Sequence, residues 1–244
     1  MARLLCFCSL TALFLNMGLS PARAQLQLDV EAGAARSGYN KVRIPGEGGT
    51  LIDLSESLES NATFFYRLRL SYTLNEAHTF SVLYAPLTLE YAGTFGQELA
   101  FLNTTFGADE LLDVRYQFNS YRLTYRYNFP RTQHFRVGVG ATAKIRDAVV
   151  EVNNVEKTNV GFVPLINFRA EWLARERLSL ILTGDALVAP QGRAEDILLA
   201  AEFYPNRVVT FRLGYRILEG GANNDEVYNF SLVHYGIGGA TITF

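Results

Sequence analysis

Cysteine, histidine and long hydrophobic runs are all scarce in this sequence. Its two cysteines, Cys6 and Cys8, both fall within Met1 to Ala24. That stretch carries a basic Arg3, an apolar run from Leu4 to Leu19, and Ala22-Arg23-Ala24 ahead of Gln25, the composition of a secretory signal with an A-x-A cleavage site. The cysteines lie too near the start to be the lipid-attachment residue of a lipoprotein. Cleavage after Ala24 therefore leaves a chain without thiols, which closes the disulfide, thiolate-metal and cysteine-nucleophile readings. Basic arms and charge runs are also missing. Loss of Arg3 and Arg23 removes two of 22 basic residues against 24 acidic ones and moves the net charge from −2 to −4, which gives nucleic acid no footing. Beyond the leader no run approaches the roughly 18 to 20 apolar residues of a transmembrane helix. Membrane residence, if any, has to be as a barrel. No linker or low-complexity block divides residues 25–244, so one domain is expected after a signal peptide over residues 1–24.

What the chain has in abundance is alternation. Segments of apolar and polar residues with period two predict strands over 25–35, 62–74, 79–91, 115–129, 134–146, 162–174, 178–189, 195–204, 207–219 and 228–244. Period two means a sheet with one face in an apolar medium and the other in a polar one. With strands nearly throughout, closure into a barrel removes the unpaired edges. The connections sort by side. Asn75 to His78, Pro130 to Gln133, Arg175 to Arg177 and Pro205-Asn206 are short, whereas Arg36 to Asn61, Ala92 to Val114, Asp147 to Gly161 and Gly220 to Val227 are longer, with Pro190-Gln191-Gly192 the brief exception. Short turns on one side and long loops on the other belong to a bacterial outer-membrane barrel.

The faces agree. Tyr66, Leu68, Leu70 and Tyr72 alternate with Arg67, Arg69, Ser71 and Thr73, and Val209, Phe211, Leu213 and Tyr215 alternate with Thr210, Arg212, Gly214 and Arg216. A soluble sandwich would put the arginines outside; a barrel in lipid puts them inside. Tyr72, Phe80, Phe129, Phe135, Trp172, Phe203, Phe211 and Phe244 gather near the short-turn ends, as in an interfacial girdle. In the third strand the apolar set shifts phase from Phe80, Val82 and Tyr84 to Leu87, Leu89 and Tyr91, which predicts a β-bulge near Pro86.

On these residues the chain resembles bacterial outer-membrane β-barrel proteins along the whole of residues 25–244. The terminal Phe244, with Ile242 and Ala240 at alternate positions before it, looks like the sorting signal read by the barrel assembly machinery. The strings from Ile44 to Thr50 and from Tyr215 to Gly221 resemble ones found in uncharacterised members of this class. The resemblance implies an all-β fold, a single closed antiparallel barrel of about ten strands, in the outer membrane of a Gram-negative envelope, with membrane lipid and lipopolysaccharide as its partners.

The expected lumenal face holds Arg67, Arg69, Arg122, Arg126, Arg136, Lys144, Arg169, Arg212 and Arg216, with Asp29, Glu31, Glu171, Asp185 and Glu202 as acidic partners. Unpaired charge in a narrow lumen is costly, so these residues are expected to form a hydrogen-bonded plug. The competing expectation is a narrow channel for small anionic or polar solutes, although ten strands give a bore well below that of the large porins. An enzyme is the third reading. Omptin proteases resemble one another in a paired acidic set and an Asp-x-His pair at the outer rim. Here His78 and His134 lie at short turns, and His234 has no Asp two residues earlier. A lipid A deacylase would need a serine two residues from the histidine, and Ser231 is on the opposite face by parity. What remains is an acid and base pair between His234 and Glu219. Gly46-Glu47-Gly48-Gly49 lacks the following helix and Lys-Ser or Lys-Thr pair of a phosphate cradle. Loop acids such as Glu47, Asp53, Glu98 and Asp109 offer oxygen ligands to cations that bridge lipopolysaccharide. Neither a cofactor nor a resident metal is called for, and a structural, envelope or surface-binding role is the leading expectation.

Overall fold

Alternation dictates strands, and the computed structural model, which describes residues 24–190 and 192–244, has them as the dominant element. The segment expected to be a signal peptide, residues 1–24, lies outside the described residues except for Ala24. In chain order the elements are β1 (Ala24–Arg43), β2 (Ile52–Asp53), the short helix α1 (Leu54–Ser57), β3 (Thr63–Leu74), β4 (His78–Ala85), β5 (Thr88–Thr94), β6 (Leu99–Phe101), β7 (Thr104–Phe106), β8 (Leu111–Asn128), β9 (Phe135–Val152), β10 (Val155–Arg175), β11 (Leu178–Ala189), β12 (Gly192–Phe203), β13 (Val209–Asn223) and β14 (Tyr228–Thr243). With β4 and β5 acting as one strand, ten antiparallel strands pair in sequence order, and β14 closes on β1 through Leu28 opposite Ile242 and Val30 opposite Ala240. The Phe244 N–H completes the seam by donating to the Leu26 carbonyl at 2.9 Å. This is a closed barrel, so no edge remains for its backbone groups to leave unpaired.

The strands run further than the alternation indicated, always at the long-loop end. The expected loop from Asp147 to Gly161 is instead the continuation of β9 and β10, which meet in a tight turn at Asn153-Asn154, both at positive φ. Asparagine tolerates that conformation, and a two-residue hairpin requires it. The reason for the discrepancy is solvent. Past the bilayer both faces of a strand leave lipid, so Arg146, Asp147, Glu151 and Glu156 break the pattern without ending the ladder. Two outer connections stay long. Residues 44–62 and 95–110 fold over the barrel mouth as a cap that includes β2, α1 and the β6–β7 hairpin.

The expected bulge at Pro86 is absent. Ala85 pairs with Ser120 and Thr88 with Gln117, the same register on both sides of the proline. Proline has no N–H, so it interrupts the ladder without shifting it. Parity therefore holds, and Phe80 and Val82 point outward and are exposed, whereas Leu87, Leu89 and Tyr91 point inward and are buried. The change of phase marks the level at which the apolar side of the sequence turns from lipid to an internal core.

Outside, apolar side chains cover the barrel. Leu68, Leu70, Leu123, Val139, Leu182 and Leu213 are all exposed. Two aromatic belts bound them on the β3–β4–β8 side. Tyr72, Phe80, Tyr125, Tyr127 and Phe129 form the lower one, where Phe80 and Tyr125 lie 5.2 Å apart and Tyr127 and Phe129 5.3 Å. Tyr66, Tyr84 and Tyr121 form the upper, with centroids at 6.2 and 5.2 Å. The upper belt escaped the sequence reading, although an aromatic six residues before Tyr72 on the same face was there to be counted.

Candidate functional site

Three layers fill the lumen from the short-turn end to the long-loop end. The first is an open vestibule of about 1370 Å³, lined by the inward residues of the short-turn half and by turn residues such as Asn75, Pro130, Arg177 and Asn206. The second is a dry belt of ion pairs. The third is an apolar core roofed by the cap.

Asp196 of β12 is the hub of the belt. Its carboxylate accepts from Arg67 of β3 at 2.9 Å and from Arg216 of β13, and Arg122 Nη2 of β8 lies 2.6 Å away at ion-pair distance. Arg216 also donates to both oxygens of Glu31 at 2.8 Å, and Arg122 Nη1 donates to Asp185 at 2.7 Å. Asp185 in turn accepts from Thr142 at 2.6 Å and from Asn167 at 2.8 Å. The contacts of Arg67 and Arg122 with Asp196 and of Arg122 with Asp185 run between distant strands and so cross the lumen, whereas Arg216 with Asp196 and Asn167 with Asp185 join neighbouring strands and brace the ends of those bridges. Every charged member of the belt is at most 4% exposed, including Glu31, Arg67, Arg122, Asp185, Asp196 and Arg216. Buried charges tolerate such a place only when paired and hydrogen-bonded.

Below the belt, Arg169 and Arg212 both donate to Glu202, at 2.9 and 2.8 Å, and Arg136 donates to Glu171 at 3.2 Å. Tyr204 stands between the two carboxylates, its hydroxyl 2.8 Å from an oxygen of each, so that its one proton is shared between them. Above the belt, Lys144 is buried without a carboxylate within ion-pair distance among the described residues, its ammonium 4.7 Å from the centroid of Phe118. There the lining turns apolar. Phe65 meets Tyr235 edge-on at 4.8 Å, and Val114, Val150, Leu218 and Val233 close the space together with Ile44, Leu54 and Phe101 of the cap. Beneath the cap, Asn40 of β1 donates to the Tyr91 hydroxyl of β5 at 3.1 Å, and its backbone N–H donates to Asp53 of the cap at 3.0 Å. Asp53 also caps α1 by accepting from the Ser55 N–H at 3.2 Å.

Two sequence expectations are corrected by this arrangement. The lumen is filled in its middle and long-loop parts but open as a vestibule at the short-turn end, and it is polar only in its middle and short-turn parts. Its belt is charge-balanced rather than basic, because three arginines face three carboxylates. All fourteen residues named above as lumenal lie on the inward parity of their strands, with Arg69, Arg126, Arg136, Arg169 and Arg212 on the vestibule wall. Asp196 was missed, although counting back from Glu202 in steps of two along β12 reaches it.

His234 and Glu219 do not meet. Both face outward, His234 bonded to the Tyr215 hydroxyl and Glu219 to Tyr39 and Arg193, the latter at 2.7 to 2.9 Å. The acid and base pair is thus not formed, and each member already has another partner. Ala240, Ile242 and Phe244 lie on the outward face at the seam, with Phe244 72% exposed. Among the described residues no group of histidine, cysteine and carboxylate side chains is arranged to hold a metal.

A ten-stranded closed barrel with an apolar exterior, aromatic belts and a charged interior is an inside-out protein, made for lipid. No protein-family model and no curated protein matches the chain. Among solved structures it is similar to the outer membrane protease OmpT of Escherichia coli, with a TM-score of 0.57 over 90% of this chain and 97% of that one at 10% identity. The fold is that of an outer-membrane β-barrel. Looser likenesses include an outer membrane channel from Pseudomonas putida F1, with a TM-score of 0.44, 9% identity and 92% and 96% of the two chains covered. OprG of Pseudomonas aeruginosa gives 0.40, 9% identity, and 91% and 95%. At these identities the shared property is the barrel, and activity does not travel with it.

Proposed function

We propose that this chain is an integral outer-membrane barrel that does not conduct, with its short turns in the periplasm and its cap at the cell surface, and that it acts through its ends in an envelope or surface-binding role. The observation that carries the reading is the double seal. Ion pairs that cross the lumen are followed by an apolar core, and neither layer offers an ion a hydrated path. The channel reading needs a continuous basic lining, and the belt gives each of its arginines a carboxylate. The enzyme reading loses its one candidate pair with His234 and Glu219 apart. In this account the outward apolar band meets membrane lipid and lipopolysaccharide, and the seam residues Ala240, Ile242 and Phe244 are what the assembly machinery reads.

Planar-bilayer recording of the refolded barrel, its folding verified by heat-modifiable gel mobility, is the test. Silence is the expected result. Discrete conductance steps from folded protein would overturn the reading and return attention to Arg122 and Arg212.

A further inference from the structure

The vestibule wall is divided by charge. On the side made by β9 to β14 and β1, each inward arginine of a strand that lines the vestibule has its carboxylate: Arg136 with Glu171, Arg169 and Arg212 with Glu202, Arg216 with Glu31; Arg131, Arg177 and Arg207 stand at the turns below, outside the strand wall. On the side made by β3, β4 and β8, inward positions carry Arg69, Arg126 and neutral hydroxyls or amides, and no acid. Glu76 stands only at the turn below.

Neither Arg69 nor Arg126 has a carboxylate within ion-pair distance among the described residues, and the geometry shows why. Asp29 is the direct register partner of Arg69 across β1 and β3, yet its carboxylate is held by Thr241 at 2.5 Å and Arg212 at 3.0 Å. Arg126 donates from Nε to Asn128 at 3.0 Å, which leaves both Nη groups without a described partner. Gly138 makes room for it, because a Cβ there would stand 2.9 Å from Arg126 Cδ. Between the two arginines lie the paired rows Ser71 with Ser81 and Thr73 with Thr79. The panel is therefore two guanidinium groups flanking neutral donors, at the side of a blind, water-accessible cavity with low-dielectric surroundings. Field lines concentrate in such a space and favour a counter-charge.

We infer that this panel binds a small soluble oxyanion of the phosphate class, presented from the short-turn side. A planar guanidinium fork matches phosphate oxygens with two parallel hydrogen bonds, and the hydroxyl rows supply further donors. A membrane lipid is not the source, since the barrel wall separates the panel from the bilayer. The blind end means the anion is held, not passed. The inference rests on the sealed-lumen reading for that last point alone. Binding itself is independent of it.

The experiment is calorimetric titration of the detergent-refolded barrel with inorganic pyrophosphate, against sodium chloride at matched ionic strength. Saturable one-site binding is expected, weakened about tenfold or more in Arg69→Gln and in Arg126→Gln, a loss equal to the removal of one charge-assisted contact. Arg193→Gln, on the outward face of the long-loop rim, is expected to bind like the parent. Each variant is checked by gel mobility, and the two arginine variants stand in for one another if one does not fold. No saturable heat from folded parent protein, heat abolished by matched chloride, or affinity unchanged in the folded variants would overturn the inference. Because the titration needs neither bilayer nor orientation, its failure is distinct from a failure of the conductance test.

Discussion

Asp196→Ala is expected to cost the barrel about 3 to 5 kcal/mol, the scale for removing one partner from a buried ion pair. The size follows from position. Asp196 is 2% exposed and faces Arg67, Arg122 and Arg216 at once. Glu31 and Asp185 stay behind as acceptors, but three guanidinium groups then share two carboxylates in a space water does not reach. Asp196→Asn keeps shape and one acceptor and should fall between parent and alanine. The measurement is the urea midpoint for the folded band in lipid vesicles. At the rim, Glu219→Ala serves as the contrast, because its partner Arg193 is exposed and such pairs contribute about 0 to 1 kcal/mol. An unshifted midpoint in Asp196→Ala would mean that the belt is wet and the lumen not sealed by it.

Leu213→Arg is expected to cost about 2 to 4 kcal/mol in the same vesicles, the penalty for a cation near the bilayer midplane on a lipid-facing strand. Leu213 lies on β13 between Phe211 and Tyr215, and it is 76% exposed. In water an arginine on so open a site would be harmless, so the size of the effect reports the solvent around the barrel. Asp225→Arg, in the exposed connection after β13, is expected to stay within about 0.5 kcal/mol of the parent. Equal midpoints for the two variants would place the apolar face somewhere other than lipid.

Both predictions depend on which parts of the chain were readable. Where one face meets lipid and the other the lumen, period two is enforced, and the strands around Leu68, Leu123 and Leu213 stood out in the sequence. Beyond the bilayer that enforcement stops. The outer parts of β9 and β10 carry charge on positions that lipid would forbid, and they read as a loop. Leu87, Leu89 and Tyr91 misled in a different way, because apolar residues on inward parity look like a bulge unless an internal core is already known to wait for them. Apart from its hub Asp196, the belt was legible as a set of charges but not as a set of particular pairs. Side-chain pairing across the lumen joins residues far apart in sequence, Arg67 to Asp196 among them, and local pattern carries no trace of it. His234 and Glu219 fell on one outward face by parity, while their engagement by Tyr215 and Arg193 depended on rotamers.

The absence of cysteine from residues 25–244 opens the most direct test of the central claim, a barrel sealed at its outer end and open at its short-turn end. Thr210→Cys places a thiol on the vestibule wall, and Glu47→Cys places one on the exposed cap. Cells expressing each variant are treated with a membrane-impermeant maleimide too large for porins, before and after the outer membrane is permeabilised. The account predicts that the cap thiol reacts in intact cells and that the vestibule thiol reacts only after permeabilisation. A vestibule thiol that reacts equally fast from outside intact cells would contradict it.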